Sequence, residues 1–102
     1  MQRVLVADDD ADLRKVLRDL LTDEGFVVTE TDHGDAVIAA MSAGGDDMPQ
    51  LVVMDLRMPG TGGLDALKAM RSNHSLPLPV IVITGFGSSS ARMIAMIRSR
   101  LR

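Results

Sequence analysis

Four short apolar runs, Arg3-Val-Leu-Val-Ala7, Phe26-Val-Val-Thr-Glu30, Leu51-Val-Val-Met54 and Val80-Ile-Val-Ile83, recur along the 102-residue chain with helical spacing between them. The first has no polar alternation and is cut off by Asp8-Asp9-Asp10, which suits a strand covered on both faces in a parallel sheet. From Asp10, a good N-cap residue, Leu13, Val16, Leu17, Leu20 and Leu21 follow at helical spacing. Arg14, Lys15, Arg18, Asp19 and Thr22 fill the opposite face, and Gly25 supplies the stop. A weaker helix is predicted from about Asp35 to Ala43, before Gly44-Gly45-Asp46-Asp47 breaks it. The turn Pro59-Gly-Thr-Gly-Gly63 opens a third helix with Leu64, Leu67 and Met70 on one side. Ser88, Ser89 and Ser90 cap a last one carrying Met93, Ile94, Ile97 and Leu101.

The order βαβαβαβα with short connections requires right-handed crossovers and predicts an open, doubly wound α/β sheet of four βα units. A closed eight-stranded barrel needs about 250 residues. No repeat or linker marks a boundary, so residues 1–102 read as a single domain.

Composition removes several function classes. Without cysteine there is no disulfide framework, thiolate metal site or thiol nucleophile. No apolar run approaches the roughly 20 residues that span a bilayer, and acids interrupt the N-terminal run before it could serve as a signal-peptide core, so the chain reads as cytoplasmic with no membrane partner. The net charge of −3 hides an asymmetry: all 14 acids lie in residues 1–65, whereas residues 66–102 hold six basic residues and no acid. The acidic balance argues against nucleic-acid binding, and the arginines at 92, 98, 100 and 102 read as a solvated helix face.

In open α/β sheets, ligands bind beyond the carboxyl ends of the strands. Asp8 and Asp9 end strand 1, Asp55 ends strand 3 and Thr84 ends strand 4. If strands 1 and 3 are neighbours, about 4.8 Å apart, their carboxylates converge. Either one pKa then rises or a cation binds, and an all-oxygen donor set suits Mg²⁺ rather than Zn²⁺. Such a cluster beside a hydroxyl and a glycine turn is suited to holding a phosphoryl group, with one carboxylate as nucleophile. Gly60-Thr61-Gly62-Gly63 lacks the spacing of a P-loop or dinucleotide site and reads as a turn. His33 and His74 read as isolated loop residues.

The segments Val-Leu-Val-Ala-Asp8-Asp9-Asp10, Val-Val-Met-Asp55-Leu-Arg-Met-Pro59-Gly-Thr-Gly-Gly63 and Val-Ile-Val-Ile-Thr84-Gly85 resemble, in order and spacing, the receiver domains of bacterial two-component response regulators. The resemblance implies a flavodoxin-like sheet of strand order 2-1-3-4. It implies that Asp55 accepts a phosphoryl group from a histidine kinase or phosphotransfer protein. Asp8, Asp9, Asp55 and the main-chain carbonyl of Arg57 would hold Mg²⁺, Thr84 would be the switch hydroxyl, and Arg57 and Phe86 would tune hydrolysis.

The family continues through a fifth strand bearing a lysine, then a fifth helix. No lysine follows Lys68, and the chain reads as shortened relative to the family. An exposed strand 4 edge would favour a homodimer or domain-swapped assembly involving helix 88–101. Three functions follow as expectations: a phosphoacceptor signalling module, a non-switching interaction or scaffold module that homo-oligomerises, and an aspartyl-phosphate phosphatase. Arg57 argues against the last, because such enzymes place a second acid at that position.

Overall fold

The computed structural model describes residues 2–43, 48–55, 58, 62, 65, 66, 68, 69 and 80–83. Strands β1 (Arg3–Ala7), β2 (Val27–Thr31), β3 (Leu51–Asp55) and β4 (Val80–Ile83) form one sheet. Its order is β2-β1-β3-β4, with each neighbouring pair parallel. Helix α1 (Ala11–Asp23) joins β1 to β2, and α2 (Gly34–Ala43) joins β2 to β3. Asp65, Ala66, Lys68 and Ala69 are also helical. This is the open, doubly wound arrangement expected from the alternating runs, in the flavodoxin-like order 2-1-3-4 that the resemblance implies.

The lack of polar alternation in β1 and β3 has a direct structural cause, since both faces of these strands are covered. Val4, Val6, Leu51 and Val53 pack with Leu17 and Leu21 of α1 on one face. Leu5, Ala7, Val52 and Met54 point the other way, against Val37 and Met41 of α2, Met58 and Ala66. Burying each of the valine, leucine and methionine side chains contributes roughly 1.5–3 kcal/mol. Among the described strands β2 pairs with β1 alone, and its Thr29 and Glu30 are exposed.

Asp10 caps α1, its carboxylate accepting the N–H groups of Asp12 (3.0 Å) and Leu13 (3.2 Å). At the other end, the Gly25 N–H donates to Thr22 O (3.0 Å) and the Phe26 N–H to Leu21 O (3.1 Å), while Gly25 adopts φ 95°. This pair of closing bonds satisfies carbonyls that the last helical turn would leave unpaired. It also corrects the expected start of the second strand. The amide of Phe26 belongs to the helix closure, so β2 begins at Val27 and extends to Thr31. Three smaller differences accompany it: α2 begins at Gly34, β3 includes Asp55, and Val16 is 45% exposed. At 100° per residue Val16 lies about 100° round α1 from Leu17, at the margin of the face that meets the sheet.

Candidate functional site

Strand register assembles the site. Ala7 of β1 is level with Met54 of β3, so the next residues, Asp8 and Asp55, leave adjacent strands side by side. One ligand oxygen from each of Asp8, Asp9 and Asp55 lies within 4.8 Å of the others. The three differ in environment. Asp8 is 1% exposed, Asp55 is half-buried and Asp9 is exposed.

Asp8 is held through its main chain and one carboxylate oxygen. Its N–H donates to Thr31 O of β2 (3.1 Å), and its carbonyl accepts from Arg14 Nη1 (2.6 Å). Its Oδ1 accepts the Asp10 N–H (2.9 Å). The other oxygen, Oδ2, is buried and has no hydrogen-bond partner among the described residues. Burial is the main force raising the Asp8 pKa above its ordinary value. The Asp10 N–H opposes it, while the negative charges of Asp55, Asp9 and Asp10 add to it.

A buried carboxylate oxygen without a donor is costly unless a proton or a cation compensates it. Asp8 shares the cluster with two further carboxylates, a hard, all-oxygen donor set of the kind Mg²⁺ takes from proteins. The donor chemistry therefore fits a divalent hard cation and offers nothing to a thiophilic one. His33 stands apart from the cluster, half-exposed and paired with Asp32 (2.8 Å), whose pKa it lowers.

Asp8, Asp9 and Asp55 are thus brought together as their positions at strand ends suggest, and Asp10 serves as a cap. Arg57, Thr84, Phe86, His74 and helix 88–101 lie outside the described residues, as does the Pro59–Gly63 turn except Gly62, whose carbonyl accepts the Ala66 N–H (2.9 Å). Thr84 directly follows Ile83, which is level with Asp55. One contributor escaped the sequence reading. Arg14, assigned to the solvated face of α1, lies about 60° round from Leu17 and reaches both Asp8 and Glu30. Its spacing of six residues after Asp8, one turn into a helix beside β2, was the available signal.

Residues 4–99 match the family model described as response regulator receiver domain, and the chain belongs to that family. It is similar to the transcriptional regulatory protein CpxR of Klebsiella pneumoniae, 35% identical over 96 residues that make up 94% of this chain and 39% of that protein. The chain therefore spans about two-fifths of that relative. Among solved structures, the response regulator TrrA of Thermotoga maritima, in complex with Mg²⁺-BeF, superposes with a TM-score of 0.86 at 22% identity, covering 99% of this chain and 100% of that one. The receiver domain of the histidine kinase CKI1 from Arabidopsis thaliana, complexed with Mg²⁺ and BeF₃⁻, gives a TM-score of 0.73 at 26% identity, covering 96% of this chain and 75% of that one. Among the described residues, no helix is long and apolar enough to cross a membrane.

Proposed function

We propose that residues 1–102 act as one receiver unit that takes a phosphoryl group onto Asp55 from a phosphohistidine of a histidine kinase or phosphotransfer protein. An Asp55 carboxylate oxygen attacks phosphorus, a P–O bond forms, the P–N bond to the donor imidazole breaks, and the electron pair leaves with that imidazole. Asp8, Asp9, Asp55 and the main-chain carbonyl of Arg57 would hold Mg²⁺. When bound, the ion supplies positive charge that offsets the phosphoryl oxygens and the crowded carboxylates. Thr84 would be the hydroxyl that donates to the phosphoryl group and reports its presence. On this reading the domain is a signalling acceptor rather than a turnover enzyme.

One observation carries this reading: three carboxylates converge at adjacent strand ends, and a buried oxygen of one of them lacks a hydrogen-bond partner among the described residues. Family membership supports the same chemistry, as do the Mg²⁺ and beryllofluoride complexes of TrrA and CKI1 and the crystal structure of TrrA with the histidine kinase ThkA. Beryllofluoride is a phosphoryl mimic, so thermal melts provide the test. Mg²⁺ with beryllofluoride should raise the melting temperature above that with Mg²⁺ alone, and Asp55→Asn should abolish the increment. No increment in the wild-type protein contradicts the phosphoacceptor reading and favours the scaffold function.

A further inference from the structure

We propose that Arg14 and Glu30 form a positioning pair that sets the affinity of the acidic site for Mg²⁺ by fixing the peptide plane between Asp8 and Asp9. The inference rests on reading these aspartates as Mg²⁺ ligands. A trans peptide is planar, so the direction of the Asp8 carbonyl dictates where the chain enters Asp9. That carbonyl is gripped by Arg14 Nη1 at 2.6 Å. The same guanidinium donates through Nε to Glu30 Oε1 at 3.2 Å, and Glu30 is held from its other oxygen by Arg18 Nη1 at 3.2 Å. Glu30 is level with Val6 in the β1–β2 ladder, and Thr31, the next residue, accepts the Asp8 N–H. The guanidinium thus ties the end of β1 to the strand that already holds the Asp8 amide.

Two features make the contact more than a surface ion pair. The Arg14 side chain is 20% exposed, and its planar fork meets two acceptors at once, which a lysine ammonium on a flexible stem does not reproduce. Asp8 is also restrained through its side chain, whose Oδ1 accepts the Asp10 N–H. Together the two bonds restrain the Asp8 carbonyl and one of its carboxylate oxygens, on either side of its Cα. Groups that orient metal ligands in this way typically carry a 10–100-fold share of metal affinity.

A charge effect and a positioning effect predict opposite signs, which makes the test decisive. Arg14 is a cation near three carboxylates, so a role through charge alone means that Arg14→Met tightens Mg²⁺ binding. A positioning role means that it weakens binding by about tenfold. Calorimetric Mg²⁺ titration of the 102-residue protein, well below its melting temperature, should show weakening by about tenfold in Arg14→Met and also in Arg14→Lys, which keeps the charge. Glu30→Gln, which leaves the fold's core untouched, should weaken binding in the same direction by less, and should add nothing in the Arg14→Met background. Unchanged or tighter binding in Arg14→Met, or an Arg14→Lys protein equal to wild type, overturns the inference while leaving the functional reading intact. If Arg14→Met does not fold, equal affinities for Glu30→Gln and wild type overturn it. Absence of Mg²⁺ binding by the wild-type protein overturns the functional reading, and the inference with it.

Discussion

Asp8 accepts the main-chain N–H of Asp10 at 2.9 Å through one carboxylate oxygen, while its other oxygen is buried without a donor among the described residues. Burial raises the Asp8 pKa above 3.8, with the neighbouring aspartates adding to the effect. The folded protein therefore binds this proton more tightly than the unfolded chain, and the Asp8 contribution to stability falls as pH rises from that ordinary value through the raised one. The penalty is absent below both values and complete above both. In a chelator, Asp8→Asn should remove this part of the pH dependence and raise the melting temperature at neutral pH. Mg²⁺ should reverse the ranking, because a ligand at a hundred times its Kd stabilises the wild-type protein by about 2.7 kcal/mol. Melts across pH with chelator and with Mg²⁺ check both halves, and identical pH profiles for the two proteins contradict the first.

The cap at Asp10 separates stability from metal binding. Asp10→Ala removes the acceptor for the Asp12 and Leu13 amides and should cost about 1 kcal/mol in urea unfolding. The bond from residue 10 to Asp8 comes from the main chain and survives the substitution. Mg²⁺ affinity should therefore fall only by the modest effect of losing one nearby negative charge, as titration of the variant would show.

Gly25 offers a purely conformational test. Its φ of 95° lies in the left-handed region, and a Cβ built there meets nothing within 4 Å. Gly25→Ala should therefore destabilise by about 1 kcal/mol through backbone strain alone. Gly25→Asn should cost less, since asparagine tolerates that region better. Equal denaturation midpoints for the alanine variant and wild type contradict this account.

The strands were legible because β1 and β3 are covered on both faces, which leaves runs such as Val4-Leu5-Val6-Ala7 and Leu51-Val52-Val53-Met54 with no polar interruption. Asp8, Asp9 and Asp55 were legible as the residues that end those runs. Other features were not, and each depends on tertiary geometry. Phe26 looks like a strand residue, yet its amide closes α1. Val16 keeps the helical spacing but lies at the margin of the stripe that meets the sheet. Arg14 carries the composition of a solvated face, and only the placement of α1 beside β2 turns it toward Asp8 and Glu30. Asp10 was legible as the cap that starts α1, but three adjacent aspartates give no sign that Asp8 is buried and Asp9 exposed. The turn in which the Asp10 amide bonds back to Asp8 makes that division.

Whether Asp55 accepts a phosphoryl group at a Mg²⁺-dependent site is read by intact-protein mass spectrometry after incubation with acetyl phosphate. The wild-type protein should carry a single phosphoryl adduct that requires Mg²⁺ and is lost in Asp55→Asn. An unmodified wild-type protein, or an adduct that persists in Asp55→Asn, would contradict that role for Asp55.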